Sequence, residues 1–231
     1  MAEINKIVAL GCSYTYGHGL DDCIDANDIT NPGSNPSNFA WPNQLAKHLG
    51  VRKVLNLSHP GSSMKYALHI LAHNKHELSN KTLVVCMPPD PHRSFRMGHD
   101  ADDHLQLSHP QGTMTKLEHV SWIRSLDKAD SMHTQILHCE LLREYCKSLT
   151  GRLPVIALMS YTNTVIRKQD LDNYSQRSMY VHKHFSQSLN LSLIDRFYVP
   201  QYPRAADGKH PGELWHSIVG AYLAEKYKCA L

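Results

Sequence analysis

Short apolar runs alternate with longer amphipathic stretches along the chain. The first run, Ile-Val-Ala-Leu at 7–10, stops at Gly11. The second, at 54–57, stops at Ser58-His59-Pro60-Gly61. A third spans 82–87 before Pro88-Pro89, a fourth lies at 154–159, and a fifth at 191–194. Runs of this length between turn residues predict buried strands. The segment 41–49 predicts a helix, with Pro42 in its first turn and Gly50 past its end. Ser62 or Ser63 caps a helix running to about Leu78, with Met64, Ala67, Leu68 and Leu71 along one side. A long helical pattern, or two shorter ones, covers 122–149 and closes at Gly151. Another covers 170–189. Pro211 opens the last helix, whose apolar side carries Leu214, Ile218, Val219 and Leu223.

Strands alternating with helices predict an α/β fold. The expected form is a three-layer α/β/α sandwich around a five-stranded parallel sheet, flavodoxin-like in outline. There is no internal repeat and no linker, so the 231 residues read as a single domain. The polar segment at about 90–120 has no clear period and is too long for an ordinary connection. It reads as an insertion or lid. In such sheets ligands bind at the carboxyl ends of the strands. The loops after the strands are therefore the places to look for chemistry.

Composition narrows the possibilities. Apolar residues make up 42% and charged residues 19%, a globular balance that excludes a disordered chain. The net charge is +3, with no basic stripe, which argues against nucleic acid as a partner. No apolar run approaches a membrane span, and the start of the chain lacks the pattern of a signal peptide. A cytoplasmic location is the expectation. Six cysteines form no Cys-x-x-Cys pair, and free thiols are expected. Cys139 and Cys146 lie two helical turns apart, too far for a bridge within one helix.

The first loop reads Gly11-Cys12-Ser13-Tyr14-Thr15-Tyr16-Gly17. It is neither a phosphate loop nor a dinucleotide fingerprint. It offers a serine hydroxyl three residues after a buried strand. On this loop alone, a serine that caps the following turn is the plainer reading. The last loop, Asp207-Gly208-Lys209-His210-Pro211, places a carboxylate three residues before a histidine. Asp207 can accept from one imidazole nitrogen and leave the other as a general base. A local turn with an incidental histidine is the alternative. Gly61 allows close backbone approach, so its N–H and that of Ser13 can serve as oxyanion donors.

Three blocks resemble the SGNH (GDSL-type) hydrolases. They are Gly11-Cys12-Ser13-Tyr14, Asn56-Leu57-Ser58-His59-Pro60-Gly61 and Asp207-x-x-His210-Pro211, in the family's order. The Trp41-Pro42-x-x-Leu45 helix is also similar. The resemblance implies an SGNH-type fold and a serine esterase acting through an acyl-enzyme on Ser13. His210 would be the base, Asp207 its orienting carboxylate, and Gly61 an oxyanion donor. The implied substrate is a small-molecule or glycan ester with an acetyl-like acyl group. No metal or organic cofactor is implied. One block departs. The family's Gly-x-Asn-Asp, whose Asn is a third oxyanion donor, is replaced here by Cys86-Met87-Pro88-Pro89-Asp90-Pro91-His92-Arg93. Arg93 is the preferred replacement donor, with His92 and Asn163 as alternatives.

The missing Asn motivates a second reading, a weak or inactive carbohydrate- or acyl-binding protein on the same scaffold. A third is a histidine-based metal-binding protein, since the chain holds 17 histidines. Most fail on spacing. His69, His73 and His76 share a predicted helix face, but one opposite the apolar stripe and without an HExxH pattern. Histidines 99, 104 and 109 recur every five residues, which fits no helix face or metal motif. His59 and His92 belong to loops expected to line the site.

Overall fold

The computed structural model describes residues 3–25, 28–89, 128–157 and 202–229. In chain order its elements are β1 (Lys6–Leu10), α1 (Ser13–Tyr16), α2 (Trp41–Leu49), β2 (Lys53–Asn56), α3 (Met64–His73), β3 (Thr82–Cys86), α4 (Lys128–Thr150), β4 (Val155–Ile156) and α5 (Glu213–Cys229). A single 3-10 turn, Lys75–Glu77, follows α3.

Among the described residues the strands of the sheet pair in parallel, in the order β2-β1-β3-β4. Five strands are expected and four are present among the described residues. The expected fifth strand at 191–194 and the helix at 170–189 lie outside them. In register, Ala9 sits beside both Asn56 and Val85. The carboxyl ends of β1, β2 and β3 therefore emerge at one level.

The sheet is covered on both faces, as an all-parallel sheet must be. Alternation along β1 divides the core. Ile7 and Ala9 join Trp41 and Leu45 of α2 with Trp215, Val219 and Leu223 of α5. Val8 and Leu10 join Met64, Ala67 and Leu71 of α3 with Cys139, Leu142 and Cys146 of α4. Burial pushes the Cys139 and Cys146 thiols up to about 12, so neither supplies a thiolate near neutral pH. No disulfide joins any of the six cysteines.

Element ends follow local chemistry. Helix α2 has Pro42 in its first turn and ends on Gly50 at φ 70°, the left-handed region that glycine enters freely. Ser63 caps α3 by accepting from the Tyr66 N–H at 3.3 Å. That helix stops at His73, short of the expected Leu78, and its last turn tightens into the 3-10 segment. His69 and His73 remain helical neighbours, while His76 leaves that face.

The start of α5 differs from expectation. Pro211 does not open the helix; it forms an antiparallel bridge with Arg204. The flanking bonds run from Ala205 N–H to the His210 carbonyl, 3.0 Å, and from Gly212 N–H to the Pro203 carbonyl, 2.9 Å. In this arrangement residue 211 needs no N–H, so proline costs nothing there. A Cβ on Gly212 would stand 2.8 Å from the Pro203 carbonyl oxygen, which requires glycine in this close approach.

His216 locks α5 to α2. It is fully buried, and its Nδ1 accepts from the Trp41 N–H at 3.1 Å, filling an otherwise orphaned donor at the helix start. An accepting Nδ1 means a neutral ring with its proton on Nε2. Burial first, and the nearby His210 in addition, lower its pKa to about 3, with the Pro211 carbonyl acting in the opposite sense. The unfolded chain protonates this histidine near 6.5. Between those values the unfolded state binds one proton more, so stability falls as pH falls, by up to about 1.4 kcal/mol per pH unit for this group. Urea unfolding from pH 7 to 4 should show that slope, and His216→Gln should remove one proton's worth of it. Equal slopes in the two proteins would contradict the assignment.

Candidate active site

The loop after β1 is a crowded turn. Cys12 is extended, and α1 is one turn of helix beginning at Ser13. A Cβ on Gly11 would fall 2.1 Å from Thr15 Oγ1, so the turn needs glycine. Gly17, in the left-handed region at φ 82°, ends α1 and donates to the Ser13 carbonyl at 2.9 Å. His18 N–H donates to the same carbonyl at 3.0 Å. Ser13 is thus fixed from behind by the two residues that close its helix. The residue is 6% exposed, and its hydroxyl forms no hydrogen bond with another described residue.

The loop after β2 is tied to this turn. The Gly11 carbonyl accepts from the Ser62 hydroxyl at 2.6 Å and from the His59 N–H at 3.3 Å. Asn56, the last residue of β2, donates its side-chain N–H to the Thr15 carbonyl at 2.8 Å. Its Oδ1 accepts from the N–H of Ser58 at 3.1 Å. These bonds hold Gly61, at φ 77°, next to the first loop. Among the described residues, no backbone acceptor takes the N–H of Ser13 or of Gly61. His59 is exposed and its Nδ1–H donates to the Pro60 carbonyl, so the ring is turned onto its own loop.

The third partner arrives on the 204–211 hairpin. Asp207 Oδ1 accepts from the Lys209 and His210 N–H groups at 2.9 and 3.0 Å. Its Oδ2 takes the Nδ1–H of the His210 ring in a short hydrogen bond. The carboxylate is 1% exposed and the imidazole 17%. Burial alone would push the Asp207 carboxyl up. The His210 N–H, the His210 ring and the Lys209 N–H together outweigh it and hold the group below the usual carboxylate range. Room for this carboxylate comes from Gly19, where a Cβ would lie 2.8 Å from the carboxyl carbon. The Ala206 N–H donates to the Gly19 carbonyl at 3.0 Å, which docks the hairpin on the first loop.

The His210 ring meets that loop directly. Tyr14, next to Ser13, stands edge-on to it with centroids 5.8 Å apart. His18 lies against its face at 4.3 Å, planes inclined by 30°. Ser13 is therefore followed in sequence by two residues, Tyr14 and His18, that both contact His210. No Ser13–His210 hydrogen bond is present. Such bonds are often long in a ligand-free site.

Arg93, His92 and Asn163, the expected replacements for the missing Asn, lie outside the described residues. Gln135 of α4 lies over that end of β3. Its side chain donates to the Pro89 carbonyl at 2.9 Å, and its Oε1 is buried without a partner. Sequence reasoning overlooked His18, which belongs to no motif and reaches the site by a contact far along the chain.

His18, Asp207 and His210 are the one group among the described residues with metal-capable atoms clustered, all within 4.8 Å of one another. The fit to a metal is poor. A metal needs lone pairs converging on one point. Here the carboxylate already holds the His210 Nδ1–H, and the two rings lie face to face, so their in-plane lone pairs run side by side.

No family model and no curated relative matches the sequence. Solved structures do. A carbohydrate esterase whose active site shows divergent catalytic and non-catalytic binding functions is 12% identical; the match covers 99% of this chain and 69% of that one, with a TM-score of 0.56. The psychrotrophic esterase EstA from a Pseudoalteromonas species, in a form inhibited by monoethylphosphonate, is 14% identical over 98% of this chain and 100% of its own, with a TM-score of 0.51. A G-D-S-L family protein from Desulfitobacterium hafniense is 13% identical over 96% and 98%, with a TM-score of 0.50. Together with the parallel sheet and its three converging loops, these likenesses give the chain the fold of the SGNH, or GDSL-type, hydrolases and carbohydrate esterases.

Proposed function

We propose that this protein is a serine esterase that removes a small, acetyl-like acyl group from a polar alcohol such as a sugar. The observation that carries the reading is the Asp207–His210 pair docked on the loop that bears Ser13. Asp207 fixes the His210 tautomer with its proton on Nδ1, which leaves Nε2 as the base. Nε2 takes the Ser13 hydroxyl proton as Oγ attacks the ester carbonyl. The N–H groups of Ser13 and Gly61 receive the oxyanion. His210 then returns the proton to the departing alcohol, leaving an acyl-enzyme on Ser13. Water, deprotonated by His210, hydrolyses that ester and restores the serine. No step requires a metal or organic cofactor.

A small-molecule or glycan ester is favoured by the polar composition of the segment at about 90–120, since a lipid-binding lid would carry more apolar surface. The likeness to a carbohydrate esterase supports the same choice. Among the described residues, no helix is long and apolar enough to cross a membrane.

An acyl-chain series of p-nitrophenyl esters, assayed across pH, tests this reading. Acetate should be the best substrate. Its kcat/KM should fall on the acid side, as in any reaction that needs an unprotonated general base. Rates that climb with chain length would point to lipid esters, and a flat acid limb would remove His210 from the role of base.

A second reading is a non-catalytic carbohydrate- or acyl-binding protein. It is favoured by the prolines and missing Asn after β3, together with a neighbour that combines catalytic and non-catalytic binding. Loss of one oxyanion donor costs about 3 kcal/mol, roughly a hundredfold in rate. Folded protein that binds a glycan yet hydrolyses none of the esters would favour this reading.

A further inference from the structure

The side chain of His18 has no part in the reaction as written, yet its ring covers a face of His210. We propose that His18 is a positioning residue for His210: lying against it at 4.3 Å, it fixes the plane of the base and prevents both rings from being charged at once. This inference deepens the esterase reading and rests on His210 being its base.

The geometry has three parts. His18 stands between Gly17 and Gly19, both in the left-handed region, at φ 82° and 88°. That turn carries its backbone N–H to the Ser13 carbonyl and its ring to His210. The ring is held at its far edge, where Nε2 lies 3.1 Å from the Thr30 carbonyl. A carbonyl only accepts, so Nε2 carries the proton. The residue is 8% exposed, and a buried ring anchored at one edge resists rotation. One residue thus links the nucleophile's backbone to the face of the base.

The electrostatics follow. The charged and titratable groups acting on His18 among the described residues are His210, Asp207 and Lys209, beside the Thr30 carbonyl. Burial lowers its pKa most; His210 and Lys209 lower it further, while Asp207 and Thr30 act in the opposite direction, and the net shift is downward. His18 is therefore neutral when His210 accepts the serine proton. A neutral imidazole face tolerates the imidazolium beside it, whereas a second positive ring at this distance would repel it.

His18→Ala should lower kcat for p-nitrophenyl acetate by about ten- to a hundredfold with little change in KM, because the base loses its fixed plane. His18→Phe, which keeps an aromatic face but cannot be charged, should recover most of that loss. His18→Gln, which can keep the Thr30 bond but has no ring, should not. Unchanged kcat in His18→Ala, or recovery by Gln equal to that by Phe, would overturn the proposal. NMR titration of the imidazoles supplies a readout independent of activity. The His18 midpoint should rise in His210→Gln, where the repelling ring is gone. An unmoved midpoint in folded His210→Gln protein would overturn the coupling even if ester hydrolysis is found. A shifted midpoint in a protein that hydrolyses no ester would uphold the coupling and refute the esterase reading instead.

Discussion

Ser13→Ala is expected to lower kcat for p-nitrophenyl acetate by about 10⁴- to 10⁶-fold, the scale on which removal of a serine nucleophile is felt. The substitution removes the only atom proposed to form a covalent bond with substrate. It should leave the fold intact. The Ser13 hydroxyl makes no hydrogen bond with another described residue, and the turn is held by the Ser13 carbonyl, which alanine retains. Thermal unfolding of the variant should therefore match the wild type to within about 1 kcal/mol. Activity that survives in a folded Ser13→Ala protein would place the nucleophile elsewhere.

Asp207→Asn carries the second large effect, a loss of about 10³- to 10⁴-fold, the scale seen for the same change in serine proteases. The carboxylate does two jobs. Oδ1 accepts from the N–H groups of Lys209 and His210, and Oδ2 accepts from His210 Nδ1–H. An asparagine can keep the first job with its carbonyl oxygen. It then presents its NH2 group to Nδ1, which must lose its proton in order to accept. The ring proton moves to Nε2, and the lone pair intended for Ser13 disappears. The hairpin should stay folded, with Gly19 still leaving space behind the side chain. Activity within tenfold of wild type would show that the tautomer is not set by Asp207.

Features set by neighbouring residues were legible in the sequence. Pro42 and Gly50 mark both ends of α2 because each acts through its own backbone angles. Ser63 marks the start of α3 through a bond three residues long. Asp207 and His210 could be paired from their spacing because a tight turn of four residues brings them together. Contacts between distant segments were not legible. The stacking of His18 on His210 joins residues 192 positions apart (210 − 18) and depends on Gly19 yielding its side-chain space to Asp207. Gln135 reaches Pro89 only because α4 packs over the end of β3. Pro211 departs from its expected place in the helix for a related reason. A proline before a helical pattern fits a first turn, but the bridge to Arg204 depends on where the preceding strand of the hairpin lies. The buried His216 shows the same limit. Its neutral state comes first from burial, and its tautomer from the Trp41 N–H, a donor on another helix.

The histidine count also changes meaning in the structure. Of the many candidates for metal, the described residues gather only His18 and His210 with an acidic group, and they gather them as a stacked pair with its carboxylate. That arrangement suits proton transfer better than metal binding.

The central claim is that Ser13 is a nucleophile activated by His210. Labelling with a fluorophosphonate, followed by mass spectrometry of the peptides, tests it most directly. Wild-type protein should gain one phosphonyl adduct, mapped to Ser13, and His210→Gln should label at least a hundredfold more slowly, as general-base assistance is worth about 10²- to 10⁴-fold. Folded wild-type protein that gains no adduct, or gains it on another residue while Ser13 stays unmodified, would contradict the account.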